Sequence, residues 1–258
     1  MTHINEQSNL YKTIFIMVAS CLVVVLAAFI YRDGIEDKNG TEDDKEASTD
    51  DAIELKDMKI GVTDVAVYDF VKAIRGSEDD LEMLDKDIDM DGLDLVIYTD
   101  DVGNDSWIMK DAGSKDDNSV VYMKLADVTD GGYKDYSSSS LVYAVKVVNS
   151  IALEIAQLDL DNSKYYNSNA QAYIEKIEQL ITDIQAIVNE SNGREVVLGS
   201  TDELVRIQAF LNDFSINAIV AEDDKVAVRF NGTLENGYAS YLDIMEMNKK
   251  ILAGELNK

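Results

Sequence analysis

From residue 55 onward, short continuous apolar runs alternate with stretches whose apolar residues recur every three to four positions. The runs predict buried strands and the recurring stretches predict helices packed by one face. MKIGVT (58–63) reads as a strand. Asp64 is placed to cap a helix that puts Val67, Phe70, Val71 and Ile74 on one side and stops at Gly76. LEML (81–84), LDLVIYT (93–99) and SVVYMKL (119–125) predict further strands, with a short helix over 105–112 that carries Trp107. Leu141, Val145, Val148, Ala152 and Ile155 share a helical face. A second, longer helix has Ala170, Tyr173, Ile174, Ile177, Leu180, Ile181, Ile184 and Ile187 on one stripe. EVVLG (195–199), INAIVA (216–221) and KVAVRF (225–230) predict strands, and Thr201–Phe214 and Tyr241–Leu252 predict helices. Strands alternating with helices imply an α/β fold with mostly parallel sheets.

The N-terminal part has a different pattern. Residues 13–31, TIFIMVASCLVVVLAAFIY, contain no charge, glycine or proline. As a helix they would span about 28 Å, close to the ~30 Å apolar thickness of a bilayer. The run therefore predicts a transmembrane anchor. VASC at 18–21 also resembles a bacterial lipobox, with Cys21 as the acylated residue, although the apolar run continues beyond it. Either tether displays the rest of the chain, from Arg32 onward, on the extracytoplasmic face of the cell membrane. Residues 33–52 carry nine acids and two lysines with few large apolar side chains, which predicts a flexible acidic linker over 32–54. The expected division is an N-terminal tail at 1–12, an anchor at 13–31, the linker, an N-terminal lobe at 55–160, a bridging helix at 161–193 and a reduced C-terminal lobe at 194–258.

Charge and composition remove several functions. Asp and Glu number 50 against 23 Lys and Arg, a net charge of −27. A field of that sign repels nucleic acid, so no nucleic-acid partner is expected. The single cysteine lies in the apolar run, so no intrachain disulfide forms. The single histidine is His3, on the far side of that run from the folded part. The usual general base, the Ser-His pair and histidine-based metal sites are thus missing there, and enzymatic activity is not expected. Ser137–Ser140 reads as helix capping, and Tyr165 and Tyr166 as packing.

One local motif suggests a cation. Asp87, Asp89, Asp91 and Gly92 follow the first half of a calcium loop, in which alternate carboxylates converge. The twelfth position, which should be a bidentate acid, is Tyr98, and the intervening residues look like strand. An acidic turn entering a strand is the competing reading.

The ordered set KIGVTDVAVYDFVKAIRG (59–76), DLVIYTDDVGNDSWIMK (94–110), the segment from Gly132 to Leu180 and YLDIMEMNKKILAGEL (241–256) resembles the zinc/manganese-type substrate-binding proteins of ABC importers. Its most specific stretch runs from Leu158–Asp159 to Leu180. The resemblance implies two α/β lobes bridged by one long helix, a metal held in the cleft and an ABC permease as partner. It also implies ligand positions. The segment that supplies the family's first histidine is here LEMLDKDIDMDG, without histidine. The second falls at Lys134, with Tyr136 matching a neighbouring aromatic; the third falls at Ser200 or Thr201, and the last near Asn231. None is a histidine or carboxylate, so the resemblance carries over fold and display but not transition-metal binding, and no cofactor is expected beyond a calcium candidate. Two further readings remain for the same scaffold: a structural or adhesive surface protein, and a calcium-responsive surface domain. The sequence leaves the oligomeric state unknown.

Overall fold

The structure, a computed structural model, describes residues 54–87, 90–99, 105–112, 120–128, 138–191, 193–221, 230 and 240–256, with backbone alone for 109, 111 and 112. The predicted anchor and nearly all of the linker lie outside these residues, as does the strand expected at 225–230 apart from Phe230. Ile53–Lys258 form one compact unit.

Four parallel strands make the larger sheet: β1 (Ile60–Val62), β2 (Leu81–Met83), β3 (Leu95–Tyr98) and β4 (Val121–Lys124), in the order β2-β1-β3-β4. Ile60 pairs with Leu81 on one side and with Leu95 on the other, and Leu95 pairs with Val121. β1 and β3 are buried along their length, which is why they read as continuous apolar runs rather than alternating ones. Gly61 in β1 is required by packing. A Cβ there would lie 2.6 Å from Leu84 Cδ1 and 2.8 Å from Leu93 Cδ1.

Helix α1 (Val65–Arg75) follows β1, and the Asp64 side chain accepts hydrogen bonds from the Ala66 and Val67 amides as its N-cap. It ends at Gly76, whose φ of 73° is the left-handed conformation that glycine adopts freely. The short α2 (Ser106–Ala112) follows β3. Helices α3 (Leu141–Leu158) and α4 (Ser163–Glu190) pack closely and are joined by a single 3-10 turn over Leu160–Asn162. Among the described residues α3 is the one helix long and apolar enough to cross a membrane. Its inner face, from Leu141 through Val148 and Ile151 to Ile155, lies in the protein core.

The second sheet pairs β5 (Val196–Leu198) with β6 (Ala218–Val220) in parallel through α5 (Thr201–Asp213). Helix α6 (Tyr241–Leu256) follows and runs one turn beyond the expected Leu252. The apolar core is continuous from Met58 to Leu256, and the long α4 packs against α1, α3 and α6. Tyr166, Ala170, Tyr173, Ile177, Leu180 and Ile184 of α4 are buried at alternating spacings of four and three, the period of a helix seam. A smaller cluster on the other side of the main sheet holds Leu84, Met90, Leu93, Val96, Tyr98 and Ile108.

The corner between α3 and α4 is tied by Asp159. Its Oδ2 accepts from Tyr166 Oη (2.7 Å), Asn162 Nδ2 (2.9 Å) and the Lys56 amide (3.2 Å). Burial alone would raise its pKa, but the bonds from Asn162 and Tyr166, with the Lys56 amide, outweigh it and hold the carboxyl below its ordinary value.

Gly76 carries a testable consequence. Its missing Cβ would meet the Tyr165 hydroxyl, which donates to Arg75 O at 3.3 Å. Gly76→Ala adds that clash to the left-handed backbone cost and should destabilise the fold by ~1–3 kcal/mol in denaturant unfolding. Adding Tyr165→Phe should recover part of the loss; no recovery would show that backbone strain alone sets the cost.

Candidate functional site

In open parallel sheets ligands bind beyond the carboxyl ends of the strands, where the winding direction reverses. In the order β2-β1-β3-β4 that point lies between β1 and β3. The residues there are Thr63, Thr99 and Asp105. One carboxylate oxygen, Asp105 Oδ2, accepts from Thr99 Oγ1 (2.5 Å), Thr63 Oγ1 (2.6 Å) and the Thr99 amide (2.8 Å). Asp105 is 7% exposed, so these donors replace the water the charge loses on burial. The arrangement clamps the ends of two neighbouring strands to the start of α2.

The matching edge of the second sheet is the turn from β5 into α5. Ser200 caps α5 by accepting the Glu203 amide at 3.1 Å. Glu203 is 3% exposed and turns back: Oε2 accepts the Gly199 amide at 2.9 Å, and Oε1 accepts the amide of buried Phe230. The Phe230 ring packs on Phe210 of α5 with centroids 6.1 Å apart. This is a variant of the capping box in which the glutamate reaches past the cap to the amide of the preceding glycine and to that of Phe230. The Ser200 hydroxyl expected at a ligand position thus serves the helix, while Thr201 is exposed in its first turn.

A third junction joins α1, α3, α4, α5 and α6. Ser140 caps α3 by accepting the Tyr143 amide (3.0 Å), and it donates to the Asp213 carboxylate at 2.9 and 3.0 Å. Asp213 also accepts the Val142 amide (3.2 Å). Tyr241 Oη donates to Ser140 O (3.3 Å), and the Tyr241 amide donates to Asp69 Oδ2 (3.1 Å), which also accepts Tyr173 Oη (2.6 Å). Burial, followed by the neighbouring Asp69 charge, pushes Tyr173 far above the ordinary phenol range.

Lys134, Tyr136, Asn231 and Asp89 lie outside the described residues. The Asp87 amide donates to Asp85 Oδ1 at 2.8 Å, and Gly92 has a φ of 81°; the described ends of the motif, Asp87 and Asp91–Gly92, lie in turns. Positions nine to twelve of the would-be calcium loop are the whole of β3, and Tyr98 is a core residue. Among the described residues no group of three or more His, Cys, Asp or Glu side chains is arranged to hold a metal ion. Ser200 and Thr201 do not fit a transition-metal site: one hydroxyl is committed as a cap and neither supplies imidazole or carboxylate. Sequence reading missed Asp105, Glu203 and Asp213. Ser200-x-x-Glu203 is a capping signature that could have revealed the second; the first and third depend on partners 42 and 73 positions away.

Residues 89–205 match the family described as zinc-uptake complex component A, periplasmic. No curated protein matches the chain. Three solved structures are alike in fold. A zinc-bound AdcAII variant of Streptococcus pneumoniae is 18% identical, with a TM-score of 0.60 over 78% of this chain and 100% of that one. The metal-dependent lipoprotein YcdH of Bacillus subtilis is 16% identical, with a TM-score of 0.55 over 77% and 98%. The laminin-binding protein Lmb of Streptococcus agalactiae, described as a bifunctional adhesin and metal transporter, is 15% identical, with a TM-score of 0.57 over 77% and 99%. The resemblance read in the sequence is thus met at two levels: residues 89–205 match the zinc-uptake family, and the chain shares its α/β fold with the zinc-bound and metal-dependent proteins above.

Proposed function

We propose that the chain is a membrane-tethered, extracytoplasmic solute-binding-like component that works with an ABC permease and does not capture zinc or manganese with the ligand set of its relatives. The observation that carries this reading is the family match over residues 89–205 on a chain whose one histidine is His3 and whose one cysteine is Cys21. The folded part thus has no imidazole and no thiolate, the donors that borderline divalent ions favour. The positions that correspond to ligands are Lys134, Ser200 or Thr201, and Asn231, with Tyr136 beside the first. A lysine ammonium there would repel a cation. The 13–31 run supports tethering through either a spanning helix or an acylated Cys21. The cleft of such a component suits an anionic or neutral solute, with Lys134 as counter-charge.

A second reading keeps the scaffold as a contact surface. The likeness to Lmb, described as an adhesin as well as a transporter, favours it. Co-purification with a permease supports the first reading; its absence together with binding to surface or matrix material supports the second.

Metal affinity is the direct test. The full chain in detergent, stripped by chelator and titrated with zinc and manganese by calorimetry, should show no binding tighter than ~10 μM, about −7 kcal/mol. Nanomolar binding would refute the proposal, and Lys134→His alone should not create it. Ser200→Ala should cost ~0.5–2 kcal/mol of stability as a lost cap. A Ser200→Ala chain of unchanged stability but altered solute binding would return that hydroxyl to the site.

A further inference from the structure

We propose that the outer face of α3 is a docking surface for the lipid headgroups of the membrane, an inference that rests on the tethered reading above. The exposed residues of α3 are Val142, Lys146, Asn149, Leu153 and Gln157. They recur at spacings of three and four, so they form one stripe along about 23 Å of helix. Leu160 stands exposed on the turn beyond it. Leu160 is 73% exposed, Leu153 49% and Val142 45%, high values for large apolar side chains. None of these six residues is acidic, in a chain with 50 Asp and Glu. The outer faces of α4, α5 and α6 do present acids, among them Glu175, Glu178, Asp202 and Asp243. The nearest acids flank the stripe: half-buried Glu154 lies about 100° around the helix from Leu153, and Asp161 follows Leu160.

The point where the chain enters the fold indicates what covers this stripe. The Lys56 amide donates to Asp159 Oδ2 (3.2 Å), Lys56 Nζ donates to Leu158 O (3.1 Å) and Asn162 Nδ2 donates to Glu54 O (3.0 Å). The segment that leads from the apolar run is thus fastened to the corner that carries Leu160. Residues 32–53 separate that run from the corner. As a flexible chain they would have a root-mean-square span of about 25 Å, comparable with the stripe itself. A face too small to hold a bilayer from solution then suffices, because a tether supplies an effective concentration in the millimolar range. Apolar side chains that enter the interface, beside a lysine whose stem lies along them and whose ammonium reaches lipid phosphate, are the pattern of an interfacial helix face. The inner face of α3 is taken up by the core, so the helix lies on the bilayer and does not cross it. A second copy is the poorer occupant, since each copy brings a net charge of −27.

The full chain in phosphatidylcholine vesicles tests this, with a photoactivatable group near the headgroup of a small share of the lipid and cross-linked residues mapped by mass spectrometry. Flotation with the vesicles reports the tether. In the floated chain, residues 142–160 should be labelled several-fold above the outer face of α4 at 171–186. A chain that floats but labels both segments alike would overturn the docking surface and leave the tethered reading standing. A chain that does not float would remove the tether and the docking surface with it. Leu153→Asp combined with Leu160→Asp, both at exposed positions, should lose the labelling of 142–160 and still float. Unchanged labelling in that variant would overturn the proposal. So would copy-to-copy cross-links through 142–160, which would assign the stripe to a second copy.

Discussion

The fold depends on burying one stripe of α4. A helix of 28 residues has little stability alone in water and gains it by covering an apolar face. Here Tyr166, Ala170, Tyr173, Ile177, Leu180 and Ile184 supply that face, and α1, α3 and α6 supply the cover. The joint is fixed by more than apolar area. The Phe70 ring meets Tyr173 at 5.8 Å and Tyr241 at 4.9 Å, both edge to face, a favourable arrangement of aromatic quadrupoles. Asp69, its chain neighbour, ties Tyr173 Oη and the Tyr241 amide. Three helices far apart in sequence are locked at two adjacent residues of α1.

A second constraint comes from the acidity of the chain. Helix starts leave amides without partners, and here carboxylates supply many of the acceptors. Asp64 caps α1, Glu203 closes the turn into α5, and Asp213 serves α3 from another element. Asp105 does the same work for strand ends. Asp105 and Glu203, described acids beside strand ends, are thus bound into the framework by neutral donors. That arrangement differs in kind from a set of convergent ligands held open for a cation. The proposal of a solute-binding-like component without transition-metal capture rests on the same chemistry, together with the position of His3 and Cys21.

Much of the architecture was legible in the residues. β1 and β3 lie inside a sheet covered on both faces, so they are continuous apolar runs. α1 has an aspartate before it and a glycine after it, and both signals act through neighbouring backbone groups. The site was legible only where its chemistry is local. Ser200 and Glu203 are three positions apart and announce a cap, yet alignment to a family ligand position directed attention to the hydroxyl alone. The aspartates at 87 and 91 announce a turn, while β3 occupies the rest of the stretch a calcium loop would need.

By itself the sequence determined the order and type of the elements and the absence of imidazole and thiol from the folded part, because periodicity, capping and residue chemistry act over a few neighbours. The tertiary structure alone decided which acids became structural. Asp105 is defined by Thr63, Asp213 by Ser140 and Asp69 by Tyr173. Those partners are 42, 73 and 104 positions away, and no local pattern encodes such a distance. The physical reason is that a carboxylate's role is set by the donors that replace its water, and only the packed chain brings those donors within reach.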